Sequence, residues 1–138
     1  MPSGTPPEFF IDRSLGRRVV ADALRGVGAT VHVMADVYGE RVGQGLDDEE
    51  WLHDAGERGW VVLMKDDKIR YRPAELQVVL DHQLQAFCLT NANLRGAEMA
   101  ERFVSQLRRI ERIVNERPGP FIYGVYADGV RLLWPNES

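Results

Sequence analysis

Several acidic residues of this sequence lie where predicted strands end or where a predicted helix begins. They are Asp12, Asp47, Asp48, Asp66 and Asp67. Asp12 follows the first apolar run of the chain, and Asp66 and Asp67 follow the third through Lys65. Asp47 and Asp48 begin a helical pattern that leads into the third run. Carboxylates from distant segments are therefore candidates for one shared site.

In an open parallel sheet, ligands bind outside the carboxyl ends of the strands. The strand ends before Asp12 and Asp66 would meet at that edge. The helix start at Asp48 would join them if its connection is a right-handed crossover. Carboxylates crowded together repel one another unless a cation lies between them. Mg²⁺ or Mn²⁺ prefers oxygen ligands of this kind, and such an ion can activate a water and stabilise charge on a phosphodiester.

Each acidic residue also has a purely structural interpretation. Asp12 could cap a turn after its strand, and either Asp47 or Asp48 could serve only as a helix cap. Asp66 and Asp67 could be turn residues before Lys68. No single position decides between a site and a structural role, whereas their predicted placement at one edge of a sheet favours a site.

Polar and basic side chains close to these acids could bind the substrate. Asn91 follows the fourth predicted strand, Lys65 lies next to the Asp66–Asp67 pair, and Arg95 begins the longest predicted helix. Lys65 or Arg95 could hold a phosphate, and Asn91 could assist the acids. Further arginines along that helix alternate with glutamates, which is more typical of a solvated, salt-bridged face.

Other chemistries find little support in the sequence. It offers no Ser-His-Asp or Cys-His set, and the spacing of the scattered histidines His32, His53 and His82 does not suggest a zinc site. Cys88, the one cysteine, lies in an apolar run and is expected to be a buried structural thiol. The glycine-containing loop 36–46 does not match a phosphate-binding P-loop.

The order of predicted elements indicates an α/β fold. Short apolar runs alternate with helical patterns four times, and a hairpin with an Asp-Gly turn follows. The run 60–64 is continuously apolar, as is typical of a strand buried on both faces of a parallel sheet. Strands are predicted at 8–11, 30–34, 60–64, 85–90, 121–126 and 130–133, helices at 14–27, 48–58, 74–83 and 95–115, and a loop at 36–46.

Composition is that of one globular domain. The chain has 138 residues, 44% of them hydrophobic and 28% charged, so we expect a flexible leader over 1–7 and a single domain over 8–138. The net charge of −4 argues against a general nucleic-acid coat protein but not against a nuclease with a metal site. No apolar run approaches the roughly 18 residues of a membrane span. The lone cysteine suits the cytoplasm.

Several sequence blocks resemble one known family in order and content. The blocks are Phe10-Ile11-Asp12-Arg13-Ser14-Leu15-Gly16, Gly28-Ala29-Thr30-Val31-His32, Asp48-Glu49-Glu50-Trp51-Leu52-His53-Asp54-Ala55, Trp60-Val61-Val62-Leu63-Met64-Lys65-Asp66 and the segment 89–103. They are similar to PIN-like domains, specifically to the VapC toxins, over residues 8 to 126.

The resemblance implies a three-layer PIN-like fold and a magnesium-dependent endoribonuclease. It also implies the toxin component of a type II toxin–antitoxin system, held inactive by a VapB-type antitoxin. Carried over by position, Asp12, Asp48 and Asp66 match the catalytic, metal-binding acids, and Asp67 could be a fourth ligand. An exposed sheet edge or helix face would be compatible with a homodimer.

The sequence departs from the family pattern at two places. Met64 stands two residues before Asp66, where these domains usually carry Thr or Ser, and Asn91 and Asn93 stand where many have a further acid. These departures motivate an alternative, a non-catalytic PIN-like module that binds RNA or a protein partner. A phosphohydrolase acting on small nucleotides is a third possibility, because it would use the same metal chemistry.

Overall fold

The computed structural model describes residues 6–12, 15, 18–39, 48–65, 71–90 and 94–135, with the backbone alone at Met34, Ala35 and Asp48. The strands are β1 (Glu8–Ile11), β2 (Thr30–Val33), β3 (Val61–Met64), β4 (Gln85–Leu89), β5 (Phe121–Tyr126) and β6 (Gly129–Trp134). The helices are α1 (Val19–Gly26), α2 (Met34–Tyr38), α3 (Asp48–Arg58), α4 (Pro73–Asp81) and α5 (Gly96–Glu116). Among the described residues, no helix is both long and apolar enough to cross a membrane.

The strands form one sheet in the order β2-β1-β3-β4-β5-β6. β1 to β5 run parallel, and β6 pairs antiparallel with β5 as the predicted hairpin. The five parallel strands end at one edge of the sheet, here called the carboxyl edge, and begin at the opposite amino edge. The mainly parallel α/β fold predicted from the sequence is confirmed.

Helices cover both faces of the sheet and make three layers. Alternate residues of the strands face opposite sides, so each face has its own apolar cluster. The α1/α5 cluster contains Phe9, Ile11, Leu63 and Phe87 of the sheet under Leu24 and Phe103. The α3/α4 cluster contains Phe10, Val62, Ala86 and Cys88 under Trp51 and Val79. Cys88 is fully buried, as expected for a structural thiol.

The helices α1 and α3 end in the same way before the chain continues into the next strand. Gly28 after α1 and Gly59 after α3 adopt left-handed φ values of 96° and 71°, and the next residue donates back to the last helical turn. Ala29 N donates to Leu24 O at 3.0 Å, and Trp60 N donates to Ala55 O at 2.9 Å. These are Schellman motifs, and each glycine directly follows the predicted helix 14–27 or 48–58, where glycine is a typical stop signal.

Four predictions about the elements need correction. The segment 36–46 was predicted as a loop, but 36–38 belong to the short helix α2. The first helix was predicted from Ser14 to Val27, whereas α1 spans Val19–Gly26 with Arg18 at its N-cap, after a turn in which Leu15 N donates to Asp12 O. Val19 and Val27 belong to the apolar residues at helical spacing within 14–27, a spacing that predicts an inward face, but each is 54% exposed. The longest helix was predicted to begin at Arg95, whereas Arg95 is its N-cap and α5 begins one residue later, at Gly96.

Candidate active site at the carboxyl edge

The sheet order places a crevice between β1 and β3. From β1 the chain crosses to β2 on one side, and its next strand, β3, lies on the other side of β1. This reversal is the topological switch point at which open α/β sheets bind their ligands. The residues that follow β1 and β3 are therefore the first candidates for chemistry.

Asp12 lies at this switch point. Its backbone N donates to Leu63 O of β3 at 3.1 Å, which ties the end of β1 to its neighbour. The residue is 7% exposed, and its Oδ1 atom is inaccessible to solvent. The turn that follows uses the main-chain oxygen of Asp12 as acceptor from Leu15 N at 3.0 Å. A buried carboxylate therefore lies at the switch point.

The direction of α3 brings its first residue toward the same edge. α3 ends at Arg58, immediately before β3 begins at the amino edge, so its start at Asp48 faces the carboxyl edge. If the alternation of β1 continues for one residue, Asp12 falls on the α3 side of the sheet, as Phe10 does. The backbone thus places Asp12 and the beginning of α3 on the same side, in the way predicted from the crossover rule.

Two predicted phosphate-binding residues also lie at the carboxyl edge. Lys65 follows β3 directly and is half-buried. Arg95 is exposed at the N-cap of α5, beyond the end of β4, and its backbone N donates to Glu98 Oε1 at 3.0 Å. Because β4 is separated from β1 only by β3, the strands that precede these two cations, β3 and β4, lie close to the switch point.

The remaining predicted site residues are outside what the structure describes. Asp66, Asp67 and Asn91 lie outside the described residues, and of Asp48 only the backbone is described. Their roles stay predictions. Met64, which replaces the usual hydroxyl residue, is 2% exposed and belongs to the α3/α4 cluster. Its side chain is thus part of the core that supports this edge.

A second group of potential ligands lies elsewhere and was missed in the sequence. His53, Glu57 and His82 come together on the outer surface of α3 and α4, so the view that the histidines are scattered is wrong for two of the three. One signal was available, because His53 and Glu57 are four residues apart and share a helix face. His82 could be added only from the packing of the two helices.

Comparison with known proteins agrees with the fold and with the order of the elements. Residues 7–91 match the family described as "PIN like domain". The chain is 37% identical over 126 residues to "Putative ribonuclease VapC45" of Mycobacterium tuberculosis, and the match covers 91% of each protein. No solved structure matches the chain. The parallel α/β sheet, the acid at its switch point and these two matches agree: the chain belongs to the PIN-like domain family, in its VapC group.

Proposed function

We propose that the chain is a metal-dependent endoribonuclease, the toxin component of a type II toxin–antitoxin system. The observation that carries the proposal is the buried carboxylate of Asp12 at the switch point of a parallel sheet. Membership of the PIN-like family and similarity to VapC45, a relative named as a ribonuclease, support RNA as substrate. They also support a VapB-type antitoxin as partner.

The predicted acidic residues, of which Asp12 is described at the carboxyl edge, would suit a hard divalent cation. Asp12, Asp48 and Asp66 would hold Mg²⁺ or Mn²⁺, with Asp67 as a possible fourth ligand, because carboxylate oxygens are the ligands these ions prefer. When bound, the cation would lower the pKa of a water and stabilise negative charge on the phosphodiester. A carboxylate as buried as Asp12 is costly to keep charged, and a cation beside it offsets that cost.

The protein's own residues would bind and orient the RNA. Lys65, directly after β3, and Arg95, at the N-cap of α5, would contact the scissile or a neighbouring phosphate. Asn91, two residues after the end of β4 in the sequence, would assist. The buried core under Asp12, which includes Phe10 and Met64, holds the end of β1 in place. Such rigid support is what allows a site to align its substrate.

A cytoplasmic location is part of the same proposal, because the RNA substrate and the antitoxin would be present in the cytoplasm. The fully buried Cys88 is consistent with it, since a lone thiol needs no oxidising compartment. Formation of a homodimer stays a prediction.

The test is cleavage of total RNA and transfer RNA by the purified protein, with Mg²⁺ or Mn²⁺ and then with a chelator. Asp12→Asn keeps the size of the side chain and removes its charge, so we expect cleavage to fall on the order of 100-fold or more. Asp22→Asn is the matched control, because Asp22 is 67% exposed on α1 and touches only Arg25 among the ion pairs of the described residues. It should cleave like the wild type.

Three outcomes would overturn the proposal. Full activity of a folded Asp12→Asn variant would remove the acid from the mechanism. RNA binding without cleavage at any metal concentration, unaffected by chelator, would identify a non-catalytic binding module. Cleavage restricted to mononucleotides or short nucleotides would instead identify a phosphohydrolase.

A further inference from the structure

We propose that His53, Glu57 and His82 bind one divalent transition-metal ion, at a site separate from the catalytic edge. His53 and Glu57 lie on α3, and His82 is the C-cap of α4. One ligand atom from each of the three residues lies within 4.8 Å of the other two. The ion would therefore link two helices of the same layer.

The distances among the ligand atoms are close to those of a coordination sphere. Glu57 Oε1 lies 3.7 Å from His53 Nε2 and 4.0 Å from His82 Nδ1. Ligands about 2.0–2.1 Å from a tetrahedral zinc are about 3.3 Å apart. The two pairs that include Glu57 need a contraction of less than 1 Å, and the His53–His82 pair, whose ligand atoms lie within 4.8 Å, needs at most about 1.5 Å. The side chains of His53 and Glu57 are 54% and 61% exposed, so they can rotate to achieve it.

The third ligand is fixed by the packing of the two helices. A Cβ atom added at Gly56 would lie 2.5 Å from His82 Cβ and 2.7 Å from its Cγ. Only a glycine at this position of α3 allows the imidazole of His82 to lie so close to the helix. His82 is also held from its own side, because Gln83 and Leu84 form a Schellman motif that ends α4. The cluster thus has one rigid and two adjustable ligands.

The ligand types determine the class of metal. Two imidazoles and one carboxylate form the His₂Glu set that zinc uses with water in the remaining position, and imidazole also suits Co²⁺ and Ni²⁺. Mg²⁺ prefers oxygen ligands and would be bound poorly. Glu49, Glu50 and Asp54 line the adjoining groove beside His53, so the local potential favours a cation.

The location makes this site distinct from the proposed catalytic one. Glu57 lies one residue before the end of α3, and His82 follows the last residue of α4. Both helices end there so that β3 and β4 can begin, which is the amino edge of the sheet. Asp12 and Lys65 lie at the carboxyl edge. Metal binding by His53, Glu57 and His82 can therefore be measured without an assay of RNA cleavage at the proposed catalytic site.

The experiment is titration of the chelator-treated full chain with Zn²⁺ by calorimetry and with Co²⁺ by visible absorption. Excess Mg²⁺ is kept in the buffer to occupy carboxylate sites. We expect one equivalent of metal to bind, with Co²⁺ bands typical of low coordination number. His82→Ala and Glu57→Gln should each weaken Zn²⁺ binding about tenfold or more. Asp12→Asn should bind Zn²⁺ like the wild type.

Two further variants test whether Zn²⁺ binds at this cluster and not at any exposed histidine of the chain. His32→Ala is the matched control, because His32 lies on β2 and pairs with Glu8 at 2.8 Å; it should not change the affinity. Gly56→Ala keeps all three ligands but displaces His82, and it should weaken binding. The proposal fails if the wild type binds no Zn²⁺ at micromolar concentrations. It also fails if His82→Ala and His32→Ala change the affinity equally.

Discussion

At the scale of single residues, the hydrogen bond between Tyr38 and Asp54 shows how one side chain can anchor a short helix. Tyr38 Oη donates to Asp54 Oδ2 at 2.6 Å and joins α2 to α3. Burial, and then the hydrogen bond to Asp54, raise the pKa of the Tyr38 phenol above its ordinary value. The neutral phenol is therefore the form that the folded state favours.

Tyr38→Phe should lower the free energy of unfolding by about 0.5–1.5 kcal/mol at neutral pH. Because the pKa of Tyr38 is raised on folding, its contribution is complete below the ordinary tyrosine pKa of about 10 and is lost as the pH rises above that value. The stability difference between wild type and variant should therefore shrink in alkaline solution. Urea unfolding at neutral pH and at increasing alkaline pH measures this.

Tyr126→Phe is the control for that experiment, since Tyr126 lies on β5 and stacks with Arg131. It should keep the alkaline loss of stability seen in the wild type. A constant difference between wild type and Tyr38→Phe across the pH range would show that the phenol does not contribute in this way.

The sequence predicted the positions of those candidate-site residues that directly follow a strand. Asp12 and Lys65 directly follow apolar runs, so their place at the sheet edge depends only on the strands being parallel neighbours. The group formed by His53, Glu57 and His82 could not be predicted in the same way. It depends on Gly56 allowing α4 to pack closely on α3, and such side-by-side packing of two helices has no signature in either helix alone.

At the scale of elements, the end of α4 differs from the ends of α1 and α3. All three helices end in a Schellman motif, but the left-handed position after α4 is Gln83, with φ of 50°, and not a glycine. Leu84 N still donates to Val79 O at 2.9 Å. A residue with a Cβ atom is strained in this conformation, whereas glycine is not.

Gln83→Gly should therefore raise the free energy of unfolding by about 0.5–1 kcal/mol, as relief of strain exceeds the added entropy of the unfolded chain. Gly59→Ala makes the opposite change at the end of α3 and should lower the free energy of unfolding by about 1 kcal/mol. No heavy atom lies within 4 Å of the added Cβ at Gly59, so that loss reports the backbone alone. Shifts of the urea midpoint in opposite directions are expected; shifts in the same direction would contradict this explanation.

The elements themselves were predicted best where the apolar period is strong. The continuous apolar run 60–64 is buried throughout, and apolar residues at helical spacing along α5, such as Phe103 and Leu107, form its buried face. α2 was missed because five residues carry too little of a helical period, and its place depends on the contact with α3. The start of α1 was misplaced because Ser14 is a good capping residue by type, whereas the N-cap of α1 is Arg18.

At the scale of the whole molecule, the sheet separates two apolar clusters that must unfold together if residues 8–138 form one domain, as we predict. Trp51, Trp60 and Trp134, the three tryptophans of the chain, pack in or against the α3/α4 cluster. Tryptophan fluorescence therefore reports on one face of the sheet. Phe103 is fully buried in the α1/α5 cluster on the other face.

Phe103→Ala should destabilise the protein by about 3–5 kcal/mol, because it removes a buried ring and leaves a cavity. In a single cooperative domain, this loss must shift the fluorescence transition although every tryptophan lies across the sheet. If the alanine variant does not fold, Phe103→Leu, with an expected loss of about 1 kcal/mol, serves the same purpose. Urea unfolding followed by far-ultraviolet circular dichroism and by fluorescence should give one midpoint that moves to lower urea by both probes. A variant whose fluorescence midpoint stays at the wild-type value while its dichroism midpoint falls would show that the two faces unfold separately.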